Sequence, residues 1–184
     1  MKRACVLLAD GFEEIEAITP IDFLRRAGVE LLTLGVTGVK VNGSHGIVVM
    51  ADTSIDKAPS DFDAVIVPGG MPGSRNLAAN PLVIDFIQRH YARGALVAAI
   101  CAAPAYVLHN ACGLLQGRRF TSFPGTEKLV SGGVFIAERV VQDGNIITSQ
   151  GAGTAAEFSL AIVTELVGAE AANQLAFSTL TRRG

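Results

Sequence analysis

Cysteine is scarce in this chain of 184 residues: Cys5, Cys101 and Cys112 are an odd set with no regular spacing. That argues against the disulfide framework of a secreted protein and makes a reducing cytoplasm the expected compartment. Histidine is equally sparse. His45, His90 and His109 stand apart from the cysteines, so no zinc-ligand spacing exists. Charge of one sign is also missing: 15 basic residues face 17 acidic ones for a net charge of −2, which signals neither a nucleic-acid nor a membrane partner. No apolar run approaches the roughly 18 residues of a membrane span. The opening "MKRACVLLADGFEE" starts as a secretory leader would, but its apolar stretch meets Asp10 at once and no small-residue cleavage site follows, so no leader is expected. A G-x-G-x-x-G phosphate loop is absent as well, since "GGMPG" does not open an uninterrupted βα unit.

What is present is a chain that is 49% hydrophobic and 17% charged, with 20 glycines, the composition of a compact, turn-rich protein. Its length suits one domain over residues 1–184 and needs no metal or disulfide staple. Apolar, β-prone runs alternate with helical patterns: "RACVLLA" then "EEIEAITPIDFLRRAG", "DAVIVPGG" then "NPLVIDFIQRHYARG", "ALVAAI" then "CAAPAYVLHNACG". Strands that are apolar throughout and separated by helices predict a mostly parallel sheet covered on both faces, an α/β three-layer sandwich. "VELLTLG" reads as a further core strand, and "VKVNGSHGIVVMAD" and "ERVVQDGNIITSQG" as hairpins, the second turning at Asp-Gly-Asn. "TAAEFSLAIVTELVG" reads as a helix stopped by Gly168. Pro20 falls inside the first helical pattern, which must bend there or begin later.

In an open parallel sheet the ligand crevice lies beyond the carboxyl ends of the strands. Those ends carry the unusual residues: "ADGFEE", "PGGMPG", Cys101 and "TSQGAGT". A cysteine at a strand-to-helix turn sits beside unpaired N–H groups and the positive end of a helix dipole, which favour the thiolate. Ala102 and Ala103 allow close approach, and Pro104 suits a first helical turn. The spacing is similar to a hydrolase nucleophile elbow with alanines in place of its glycines. Two readings of Cys101 stand side by side, a small buried hydrophobe and a nucleophile; Cys5 and Cys112 read as packing residues.

Partners for a nucleophile are few. Glu13 and Glu14 read as solvated carboxylates of a first helical turn, whereas Glu16, among Ile15, Ala17 and Ile18, is placed to be buried, protonated and able to donate to a thiolate. Gly69 and Gly70 offer unobstructed backbone N–H groups that Ala102 can join as an oxyanion site, or they form only a tight turn. His109 lies eight residues along the helix, roughly 12 Å away at 1.5 Å per residue, too far to be the base. His90 reads as a solvated residue of an amphipathic helix, and His45 lies in a loop with nothing to place it near the thiol.

With "GFEEIEAITPIDFLRRAG", "DAVIVPGG", "AAICAAP" and "TSQGAGTAAEF" in order over almost the full length, the chain resembles the ThiJ/PfpI superfamily, nearest the branch of parkinsonism-associated protein deglycases and their bacterial YajL-type relatives. The resemblance implies a flavodoxin-like sandwich and a homodimer. It maps a strained, oxidisable nucleophile onto Cys101, its protonated hydrogen-bonding glutamate onto Glu16, and the anion pocket onto Gly69, Gly70 and Ala102. It implies no metal or organic cofactor, and a substrate that is a small aldehyde or a glycated protein or nucleotide. The implied activities are those of a protein or nucleotide deglycase and a glutathione-independent glyoxalase making lactate from methylglyoxal. A redox-responsive chaperone or sensor acting through oxidised Cys101 is the alternative. One departure stands out: many members carry a histidine before a proline downstream of the elbow, and "TSFPGTEK" has Phe123 there. A ring without nitrogen cannot shuttle protons, so a Cys-His protease mechanism has no base here.

Overall fold

The computed structural model describes residues 1–181. Strands β1 (Arg3–Leu8), β2 (Glu30–Gly35), β5 (Thr53–Ser54), β6 (Ala64–Val67), β7 (Leu96–Ile100), β10 (Val140–Asp143) and β11 (Ile146–Ser149) form one sheet in the order β10-β11-β7-β6-β1-β2-β5. Every pairing in it is parallel except that of β10 with β11, the hairpin anticipated at Asp-Gly-Asn. The other anticipated hairpin is also present, as β3 (Lys40–Asn42) paired antiparallel with β4 (Val48–Met50). The short parallel pair of β8 (Arg119–Phe120) with β9 (Val134–Phe135) gives no periodic signal in the sequence, because two residues are too few to show one.

Side-chain alternation along each strand divides the core into two layers. Ala4, Val6 and Leu8 of β1, with Ile66 and Ile100, pack toward α1 (Glu14–Arg26), while Cys5, Leu7, Val65 and Val97 face the opposite layer. That opposite layer is built from α2 (Gly73–Ala78), α3 (Pro81–Ala92) and a π-helical segment, Pro104–Ala111. The first layer is completed by α4 (Ala155–Val167), which ends at Gly168 with φ 115°, and by α5 (Ala169–Ser178), which the sequence pattern does not announce. Gly168 breaks α4 and the chain resumes as helix at the next residue, so the stop signal hides the restart.

Helix α1 runs through Pro20 rather than beginning after it, held by Ala17, Ile21, Phe23 and Leu24 buried against the sheet. Tertiary burial outweighs the one backbone hydrogen bond that proline removes. His90 also departs from the sequence reading. It lies on α3 in series with Val83, Phe86 and Ile87, at i, i+3, i+4 and i+7, and this spacing puts it on the buried stripe, not the solvated one. Its Nδ1 meets the Phe86 carbonyl at 2.7 Å, its ring packs on Phe62 and Phe86, and desolvation lowers its pKa. No helix among the described residues is long and apolar enough to cross a membrane.

Candidate active site

The carboxyl ends of β1, β6, β7 and β11 open on the same sheet edge, and the segments that follow them carry Glu13 to Glu16, Gly69 and Gly70, Cys101, and Gly151. Cys101 leaves β7 with φ 67°, in the left-handed region that a residue with a Cβ enters at a cost of about 1–3 kcal/mol. Its backbone is pinned on both sides: its N–H donates to the Ser149 carbonyl at 2.9 Å, and its carbonyl accepts the Phe123 N–H at 2.8 Å. The conformation turns the side chain away from the course of the strand and leaves the residue half-buried.

Glu16 is 1% exposed, and its Oε2 accepts the Gly69 N–H at 2.9 Å. A Cβ on Gly69 would stand 2.5 Å from that oxygen and 2.6 Å from the Cys101 Cβ, so only glycine fits between carboxyl and elbow. The Gly70 and Ala102 N–H groups lie near enough to the Cys101 thiol to favour its charged form. The structure thus brings together Cys101, Glu16, Gly69, Gly70 and Ala102, all five positions picked out in the sequence.

Burial dominates the electrostatics of the pair. It raises the Glu16 carboxyl to about 7, against the opposing pull of hydrogen bonding from the Cys101 thiol and the Gly69 N–H, with the Glu13 charge adding to the rise. Burial likewise pushes the Cys101 thiol up to about 12, helped by the Glu16 charge and hydrogen bond and resisted by the Gly70 and Ala102 N–H groups. The helix-end argument from sequence, which favours the thiolate outright, is therefore outweighed. The two groups act as one acid. The first proton loss, near pH 7, therefore belongs to the pair.

Glu14 is the residue that the sequence reading misplaced. It is buried, not solvated: Oε1 accepts the His45 N–H at 2.7 Å and the Ile47 N–H at 3.4 Å, while Oε2 meets His45 Nδ1 at 2.9 Å and accepts from Ser44 Oγ at 3.3 Å. Burial works against this charge, but the hydrogen bonds from His45 and Ile47 prevail and bring it down to about 2. His45 is thereby engaged by Glu14. Glu13, Glu14 and His45 have ligand-type atoms within 4.8 Å of one another, but both Glu14 oxygens already accept protein hydrogen bonds. Cys5 is fully buried and Cys112 nearly so, as packing residues should be. A cleft of about 390 Å³ at the opposite, amino-terminal edge of the sheet, lined by Lys2, Asp61, Arg93 and Glu165, contains none of these groups.

A flavodoxin-like α/β sandwich with a cysteine on a strained turn beside a buried carboxyl defines a class of thiol-elbow proteins. Residues 2–165 match the model of the DJ-1/PfpI family, and the chain belongs to that family. It is 41% identical to the Parkinson disease protein 7 homolog of Danio rerio over 95% of this chain and 94% of that one. It is 36% identical to the glutathione-independent glyoxalase DJR-1.2 of Caenorhabditis elegans over 95% and 94%. Among solved structures, a Cys-to-Ala mutant of a DJ-1 superfamily protein from Salmonella typhimurium superposes with a TM-score of 0.94 at 41% identity, covering all of both chains.

Proposed function

We propose that this protein is a cofactor-independent thiol enzyme that converts methylglyoxal to lactate and acts on early glycation adducts of the same carbonyl. The observation that carries the reading is the Cys101–Glu16 pair, closed around Gly69, with the Gly70 and Ala102 N–H groups favouring the charged sulfur. The C. elegans relative, a glutathione-independent glyoxalase by name, supports it.

The chemistry balances within the substrate. As sulfur attacks the aldehyde carbon, the Glu16 carboxylate takes the thiol proton. The carbonyl electron pair becomes an alkoxide, is held by the Gly70 and Ala102 N–H groups, and is protonated by Glu16, giving a hemithioacetal. Glu16 then moves the proton from the former aldehyde carbon toward its neighbour through an enediol, so the first carbon is oxidised to a thioester as the second is reduced to an alcohol. Water cleaves the C–S bond, releasing lactate and restoring the thiol. With Phe123 where a second base would stand, one carboxyl does all the proton transfer, and turnover is slow.

The test is lactate formation from methylglyoxal by the wild type, Cys101→Ser and Glu16→Gln. The expected result is loss of turnover in the first variant and a fall of about 100-fold or more in the second; undiminished activity in both sinks the mechanism. Oxidation offers the second reading, a sensor in which sulfinate oxygens on Cys101 take the Gly70 and Ala102 N–H groups. Mild peroxide followed by intact mass and an aggregation assay separates the two, since a sensor must change client binding when Cys101 is oxidised. The homodimer belongs to the same proposal. Ile15 on α1 and Ile47 beside it in the β3–β4 turn are more than half exposed, an apolar surface that a second copy would cover, and light scattering reads the mass.

A further inference from the structure

Two unlike groups flank the Cys101 site at Gly151. On one side is Phe123, tied to the elbow through its N–H on the Cys101 carbonyl at 2.8 Å, yet with 49% of its surface exposed. On the other is the Glu16 carboxyl. Gly151, two residues past β11, forms the floor between them. A methyl-sized group standing on Gly151 would lie 3.5 Å from Phe123 Cδ2, 3.9 Å from Glu16 Oε1 and 4.0 Å from Phe123 Cε2, all ordinary contact distances, and outside its chain neighbours no atom lies nearer. The space above Gly151 therefore admits a methyl-sized group in contact with the ring on one side and with the proton-transferring carboxyl on the other, and the exposed part of the ring extends beyond it.

We propose that this slot is a substrate subsite and that Phe123 is its specificity-determining residue: it receives the substituent next to the reacting carbonyl and selects 2-oxoaldehydes with an aryl or extended apolar substituent over methylglyoxal. The inference rests on the thiol-enzyme reading for its substrate. Its physical content is separate. The substituent is carried by the ketone carbon, next to the aldehyde carbon that sulfur attacks, and must lie close to the Glu16 carboxyl, because that carboxyl moves the proton between those two carbons. From there the nearest apolar surface is the half-exposed Phe123 ring. Covering it removes apolar area from water, and an aromatic substituent gains a ring–ring contact worth roughly threefold to tenfold in affinity. The methyl of methylglyoxal reaches too little of the ring to gain as much.

Two variants of the full chain test the subsite from opposite sides. Phe123→Ala removes the wall. Gly151→Ala puts a methyl into the slot itself, and the φ of 168° at Gly151 is extended backbone that alanine adopts without strain. The first measurement is the ratio of kcat/KM for phenylglyoxal over methylglyoxal, with about tenfold preference for phenylglyoxal expected in the wild type and a drop of about fivefold in each variant. The second does not depend on turnover: the ratio of Cys101 alkylation rates by iodoacetanilide and iodoacetamide, followed by intact mass, is expected to fall in the same order. Ratios that neither variant moves overturn the subsite, and if both aldehydes are still converted the enzyme reading survives alone. If neither aldehyde is converted but the alkylation ratio follows both variants, the subsite stands and the enzyme reading falls.

Discussion

Glu14 and Glu16 stand two residues apart in the first turn of α1, both almost free of solvent, and their ionisations move in opposite directions, one down to about 2 and the other up to about 7. The positive end of the helix dipole favours both charges, so it is not the cause of the difference. Burial opposes both charges and is the largest cause of the rise at Glu16, the more deeply desolvated of the two. The supply of donors differs as well. The loop of His45 to Ile47 gives Glu14 two backbone N–H groups and an imidazole, whereas Glu16 has one backbone N–H and a thiol that is itself an acid. A buried carboxyl with a full set of donors is a structural anion. One with too few is a proton carrier poised near neutral pH, which is what the proposed chemistry needs.

The largest effect should come from erasing the carrier. In Glu16→Gln the fall of about 100-fold or more in kcat/KM should be accompanied by loss of the pH step: wild-type activity rises through pH about 7 as the pair loses its first proton, and the variant's profile should be flat there. A wild-type profile without that step breaks the comparison. The next effect is on stability. A carboxyl raised from 4.5 to about 7 binds its proton more tightly folded than unfolded, so stability falls as pH rises from 4.5 to 7 and the cost stays above it. Glu16→Gln should therefore gain on the wild type between pH 5 and pH 8, by up to about 2.5 kcal/mol at 1.36 kcal/mol per pKa unit, measured by denaturant titration at the two values.

Glu14 should behave in the opposite sense. Its depressed pKa gives stability that is complete above 4.5 and is lost as pH falls toward 2. Glu14→Gln, stripped of charge-assisted hydrogen bonds, should lose about 1–2 kcal/mol at pH 7 and nothing at pH 2, by the same titration. The smallest change is expected of His45→Ala. It removes one exposed partner and leaves both backbone donors, so the Glu14 carboxyl resonance should titrate above 2 but still below 4.5. An unshifted titration would show that the backbone donors alone set the ionisation.

Much of this was legible along the chain. Apolar runs alternating with helical patterns announced the parallel sandwich, the two hairpins stood at their turn residues, and Cys101, Glu16, Gly69 and Gly70 lay where strand ends converge. The failures share a cause. His90 read as solvated because its polarity was weighed above its i+7 register from Val83. Glu14 read as solvated because its donors come from a loop 31 to 33 residues away. The anticipated thiolate preference at Cys101 missed the desolvation that only the packed site imposes.

By itself, then, the sequence determined which segments are strands and helices, which strand ends carry chemistry, and that Phe123 offers no proton. These follow from local periodicity and residue type. The tertiary structure alone decided that Cys101 takes a positive φ between Ser149 and Phe123, that Gly69 brings carboxyl and thiol within reach, and that Glu14 and Glu16 part company in pKa. Ionisation in a protein interior depends on how many donors reach a group from distant parts of the chain, and local sequence holds no count of them.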